Sequence, residues 1–171
     1  IQSIVSIWGD AGTSYSFGTG VVMTDDGYII TNAHVIEGCS SLEVILQDDS
    51  SYEALLVGMD VSTDLAVLKI DARGLDAAVF GDSNQMQVGD TVVAIGNPLG
   101  QELRGTMTDG IISAINRDVD VDGYSMVLIQ TTAALNSGNS GGALINSYGQ
   151  VVGITNMKMS AYDDTVEGLG F

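Results

Sequence analysis

The chain has one histidine, one cysteine and five basic residues among its 171 positions, and each scarcity closes off a class of function. A single cysteine, Cys39, allows no internal disulfide, and one Cys with one His cannot build a zinc cluster. Cys39 reads as a small buried or loop residue rather than a nucleophile. Two Lys and three Arg stand against 17 Asp and 5 Glu, a net charge of −17. Such a surface repels nucleic acid and anionic lipid, and no basic stripe interrupts it. No apolar run approaches the roughly 18 residues of a membrane helix. The N-terminus, Ile1-Gln2-Ser3-Ile4-Val5-Ser6-Ile7, lacks the basic start and long apolar stretch of a signal peptide, so any targeting or anchoring segment is expected upstream. Acid–base chemistry by an imidazole near neutral pH has one candidate, His34.

What is present is a globular composition, 45% hydrophobic, cut into short β-branched runs by Gly, Asn and Asp. Runs at 4–8, 18–23, 28–31, 42–46, 52–60 and 65–70 predict six strands. After a polar connection at 71–89, runs at 91–95, 104–116, 126–131, 143–145, 151–157 and 167–171 predict six more. No stretch of about 12 residues carries a capped amphipathic repeat. The expectation is an all-β chain of two small closed antiparallel barrels, because closure removes the edges of so many short strands. The first barrel is placed at 1–80 and the second at 81–171, together forming one unit.

Three motifs fall across that division. His34 sits in Thr31-Asn32-Ala33-His34-Val35 after a strand, and Asp64 opens the strand Leu65-Ala66-Val67-Leu68-Lys69. Ser140 lies in Gly138-Asn139-Ser140-Gly141-Gly142. Taken singly these read as a structural histidine, an ordinary strand with a polar start and a flexible turn. Together, in the order His, Asp, Ser, they match one known arrangement of nucleophile machinery. A serine hydroxyl needs a base to take its proton, and the base needs a carboxylate to fix its tautomer. Asp60 is the fallback carboxylate. Gly138 can adopt backbone angles closed to other residues and turn its amide inward beside that of Ser140, toward charge developing on a carbonyl oxygen. The site would lie in the cleft between barrels.

These motifs, with Gly18-Thr19-Gly20-Val21-Val22, Gly96-Asn97-Pro98-Leu99-Gly100 and Glu167-Gly168-Leu169-Gly170-Phe171, resemble the HtrA/Deg family of serine proteases. The resemblance covers essentially the whole chain. It implies a chymotrypsin-like double six-stranded antiparallel β-barrel that hydrolyses peptide bonds in unfolded or damaged proteins. It assigns His34 as base, Asp64 as its partner, Ser140 as nucleophile and Gly138, Asn139 and Ser140 as the oxyanion hole. It places Leu135, Ile154 and Met157 in a primary pocket for small to medium aliphatic side chains. No metal or cofactor is implied. It also implies an extracytoplasmic bacterial location (periplasmic, or anchored at the cell surface), homotrimers, and a PDZ domain following this segment in the full-length chain. A non-proteolytic, chaperone-like binder on the same fold is the rival reading.

The chain departs from the family pattern at Ser137, where proline is usual, and at Leu99, where an aromatic is common. Asn139 stands before the nucleophile, so Ile1 has no carboxylate there to pair with, and activation by a new N-terminus is not expected. Control is expected instead from loops at 98–105, 135–139 and 156–167, the first and last mobile and the Gly138 amide turned from the cleft at rest.

Overall fold

The computed structural model describes residues 1–97, 105–121, 123–136 and 138–156. Its first half holds six strands: β1 (Ile4–Asp10), β2 (Tyr15–Val22), β3 (Tyr28–Asn32), β4 (Ser41–Ile45), β5 (Ser51–Asp60) and β6 (Leu65–Ile70). They close into a barrel in the order β1-β2-β3-β6-β5-β4. Alternation sends Val5 and Ile7 of β1, Val44 of β4 and Leu68 and Ile70 of β6 inward to a core where each is at most 1% exposed. One turn of helix, α1 (Ala33–Ile36), follows β3 and was not foreseen, because four residues carry no readable period.

The second half holds β7 (Thr91–Gly96), β8 (Thr106–Val121), β9 (Tyr124–Thr131), β10 (Ala143–Asn146) and β11 (Val151–Ile154). Among the described residues these form a five-stranded sheet in the order β11-β10-β7-β8-β9 around Val92, Ala94, Ile112, Leu144 and Val152. The stretch 167–171, expected as a sixth strand, lies outside the described residues. The architecture is therefore all-β, a closed barrel beside a curled half-barrel sheet.

A third apolar cluster joins the two. Ile4 and Val21 from the first half pack with Ile95, Ala143 and Val151 from the second. β1 is thus buried on both faces near its start: Val5 and Ile7 face the barrel core, while Ile4 and Ser6 face the seam. Asn97 Nδ2 donates to Ser6 Oγ at 3.1 Å across that seam. The candidate site is built along this junction.

Candidate active site

β3 and β6 run antiparallel with Asn32 opposite Leu65, so the next residues, Ala33 and Asp64, meet. The Asp64 carbonyl accepts from Ala33 N and from Asn32 Nδ2, each at 3.0 Å. α1 then carries His34 onto the carboxylate. The His34 backbone N–H donates to Asp64 Oδ1 at 2.9 Å, and His34 Nδ1 lies 2.6 Å from Asp64 Oδ2. Asp64 adopts φ +54°, a left-handed conformation that Asp tolerates better than most residues, at the end of the turn entering β6. Its side chain is 5% exposed and that of His34 24%.

A buried carboxylate needs its lone pairs met. Asn156 supplies a third donor: its Nδ2 reaches Asp64 Oδ2 at 2.8 Å. Sequence reasoning missed this residue, since nothing in Thr155-Asn156 announces a partner 92 positions away. The structure also separates the two carboxylate candidates. Asp60 is fully exposed and occupied with its own turn, accepting from Ser62 N, Ser62 Oγ and Thr63 Oγ1 at 2.9, 2.6 and 3.0 Å. Those bonds, the Ser62 hydroxyl foremost, hold its carboxyl below the usual range.

Ser140 arrives from the other half on a loop pinned to the first barrel. Thr19 on β2 donates from its backbone N to Ser140 O at 2.9 Å and from Oγ1 to Gly138 O at 2.6 Å. Thr31 on β3 donates from Oγ1 to Thr19 O at 2.7 Å. Gly141, at φ +85°, fits between them, because a Cβ there would fall 2.1 Å from Thr19 O and 2.4 Å from Thr31 Oγ1. From behind, Thr155 O accepts from Gly141 N at 2.9 Å, and Thr155 Oγ1 donates to Asn139 O at 2.6 Å. The Ser140 loop is thus held against the strand that leads three residues later to His34. Gly138 takes φ +96°. Of the three backbone N–H groups expected at the oxyanion hole, that of Asn139 is committed to Asn136 O at 2.9 Å.

The trypsin-like peptidase domain profile matches residues 18–154, from within β2 to the end of β11, and so spans His34, Asp64 and Ser140. The chain belongs to the trypsin-like peptidase family. Within it, the chain is 52% identical over 153 residues to the serine protease Do-like HtrB of Bacillus subtilis, covering 86% of this chain and 33% of that protein. It is 46% identical over 158 residues to a probable periplasmic DegP-like serine endoprotease of Chlamydia trachomatis, covering 90% of this chain and 30% of that protein. The structure of the HtrA-type protease AlgW with a tripeptide superposes with TM-score 0.87 at 39% identity, covering 99% of this chain and 55% of that one. The serine endoprotease from Yersinia pestis gives 0.84 at 40% identity, covering 99% and 57%. The homology is to the protease part of HtrA/Deg enzymes, and the chain spans well under half the length of these curated relatives.

In this trypsin-like peptidase two of the three residues expected in the primary pocket, Leu135 and Ile154, lie among the described residues. Leu135 packs against the second core, with Val92 and Leu144 in that cluster. Ile154 lines a cavity of ≈ 710 Å³ shared with Asn32, Asn156, β9 and β11. Neither His34 nor Ser140 is among the residues lining that cavity, which lies between β9 and β11. Met157 and nearly all of the loops at 98–105 and 156–167 lie outside the described residues. Asn139 is 1% exposed, its side chain set against Gly96, and neither Oδ1 nor Nδ2 has a hydrogen-bond partner among the described residues. Among those residues no three His, Cys, Asp or Glu side chains converge to hold a metal ion, and no helix is long and apolar enough to cross a membrane.

Proposed function

We propose that this chain is the catalytic part of a serine endopeptidase of the HtrA/Deg type, using Ser140 as nucleophile, His34 as general base and Asp64 as the residue that orients it. The observation carrying this reading is the double contact of His34 with Asp64, from its backbone N–H at 2.9 Å and its ring at 2.6 Å. It fixes the ring with Nδ1 toward the carboxylate and leaves Nε2 to serve a hydroxyl. Ser140 Oγ attacks the carbonyl carbon of the scissile bond as its proton passes to His34. The imidazolium, stabilised by Asp64, then delivers that proton to the departing amine. Water repeats the sequence to release the acyl group and restore Ser140. The backbone N–H groups of Gly138 and Ser140 are the donors for the developing oxyanion.

The likeness to HtrA, HtrB and DegP-like proteases supports unfolded or damaged polypeptides as substrates, met outside the cytoplasm of a bacterium. It also supports assembly as a homotrimer and a PDZ domain after this segment in the full-length protein. A pocket built from Leu135, Ile154 and Met157 would carry no carboxylate, which favours Val, Ala or Leu before the cleaved bond; a preference for Lys or Arg in a peptide-library digest overturns it. A purely binding role gives no reason for an imidazole held at two points by a buried carboxylate. Labelling with a fluorophosphonate tests nucleophile, base and oxyanion donors at once. Labelling is expected in the parent chain and lost in Ser140→Ala and His34→Ala; a parent that does not label, or a His34→Ala variant that labels as fast, overturns the reading.

A further inference from the structure

The outer face of the first barrel carries a second concave surface that shares no residue with the site above. Phe17 stands opposite Trp8, Trp8 opposite Glu43, and Glu43 opposite Glu53, one row across β2, β1, β4 and β5. Asp10, opposite both Tyr15 and Ser41, begins the adjoining row. Trp8, Asp10, Tyr15, Glu43 and Glu53 line a groove of ≈ 370 Å³. This is the solvent side of the sheet, since the alternating neighbours Ile7, Leu42 and Val44 are buried in the core.

Two features set the groove apart from an ordinary solvated face. Glu43 and Glu53 are directly opposed, a pairing that like charges make unfavourable. No Lys or Arg among the described residues forms an ion pair with either of them or with Asp10, and Lys69 is engaged by the carbonyls of Asp26 and Ile70. Beside them the aromatic rings remain open to solvent, Trp8 at 37% and Tyr15 at 69% exposure. Trp8 is nonetheless fixed in place, packed edge-to-face on Phe17 with centroids 4.4 Å apart.

We propose that this groove binds a basic, extended polypeptide segment, with an arginine or lysine side chain lying between Glu43 and Glu53 and against Trp8. A cation there turns the carboxylate repulsion into attraction, and the neighbouring ring face adds a cation–π contact. The carboxylates do not converge as a metal site would require, which favours a long organic cation over a bare ion. The four-strand row is about 14 Å wide, the reach of roughly four extended residues, and is open rather than enclosed. The net charge of −17 steers cationic segments toward it and anionic partners away. Such binding would hold a substrate away from the cleaved bond; that use rests on the protease reading, whereas the binding itself does not.

The test is fluorescence anisotropy of a labelled peptide, Gly-Arg-Gly-Arg-Phe-Gly-Arg-Gly, titrated with the Ser140→Ala chain so that no cleavage intervenes. Saturable binding is expected, weakened about tenfold in the double variant Glu43→Gln/Glu53→Gln, the sum of two modest exposed contacts. Those substitutions relieve repulsion and keep side-chain shape, so the fold is retained. Tyr15→Ser, at an exposed position, is expected to weaken binding independently. Asp118→Asn/Asp120→Asn removes the same charge from β8 and is expected to bind like the parent. Equal loss in that control reduces the effect to bulk charge and overturns the proposal. So does unchanged binding in the glutamine variant, or equal affinity for a peptide with citrulline in place of each arginine. Failure of the protease reading would appear separately, as a parent chain that fluorophosphonate does not label.

Discussion

The two halves of the candidate site are held in different ways. On the base side, strand register does the positioning: β3 and β6 bring Asn32 opposite Leu65, and the Asp64 carboxylate receives His34 N, Asn156 Nδ2 and the His34 ring. On the nucleophile side no strand pairing is involved. Ser140 sits on a loop kept in place by three threonines, Thr19, Thr31 and Thr155, from three different strands or strand ends. Next to it the buried side-chain amide of Asn139 has no partner among the described residues, where a lost bond of this kind costs about 1–3 kcal/mol. The base side is built within one barrel but for the Asn156 donor, which comes from the other half; the nucleophile side depends throughout on contact between the two halves. Ladder-built geometry survives local change, and seam-built geometry gives way first.

The largest expected effect breaks the base side. Asp64→Asn keeps the size of the side chain and removes its charge. It should lower kcat/KM by about 10⁴ while fluorophosphonate still finds Ser140, slowly, because the amide stabilises the wrong tautomer of His34. Near-parental turnover would show that the 2.6 Å contact with His34 serves the fold alone.

The next breaks the seam and spares the base side. Gly141→Ala must accommodate a methyl 2.1 Å from the Thr19 carbonyl in a left-handed backbone conformation. A cost of about 2–4 kcal/mol is expected in chemical unfolding. Hydrogen exchange should show lost protection at Gly141, Gly142 and Thr155, with the paired amides of β3 and β6 unchanged. Uniform loss across both halves would contradict the division drawn here.

How much of this was legible in the sequence follows the same line. The base side was readable because strand, turn and strand are local, and eleven of the twelve expected strands fall where the structure has them, within a few residues at their ends. β2 begins at Tyr15 rather than 18 because its pairing with Asp10 extends past the apolar run into an exposed, aromatic stretch. β8 and β9 run farther into their shared hairpin for a similar reason, pairing through Asp120 and Ser125 that no hydrophobic pattern marks. The seam was not readable. A threonine that bonds across 119 positions, as Thr19 does to Gly138, looks like any other strand threonine, and Asn156 looks like the start of a loop. Glycine spacing was the one local signal of close approach, and at Gly141 the reason proves to be the Thr19 carbonyl.

A smaller change sharpens what the seam contributes. Thr19→Val keeps shape but deletes the hydroxyl that donates to Gly138 O at 2.6 Å and accepts from Asn97 N at 2.9 Å. Two buried groups lose their partner, so about 1–3 kcal/mol of stability should go. Turnover should fall further than stability explains, because Gly138 carries one of the proposed oxyanion donors. The check is kcat measured well below the unfolding transition, and a kcat unchanged there would place Thr19 among purely structural residues.

The smallest expected effect contrasts Asp60 with Asp64, four residues apart and opposite in surroundings. Asp60 is fully exposed and its oxygens are spent on Ser62 and Thr63. Asp60→Asn should therefore leave turnover within about twofold of the parent. Its remaining trace lies in acid. A carboxyl held below its ordinary range in the fold adds stability above its unfolded value and loses it as pH falls through the folded one. Replacing it should make the acid limb of unfolding slightly shallower and cost only a small amount of stability at neutral pH, a difference that vanishes in acid, since an exposed turn is well screened by solvent. An inactive Asp60→Asn beside an active Asp64→Asn would exchange the roles given to the two carboxylates, because their contacts leave only one of them free to hold the imidazole.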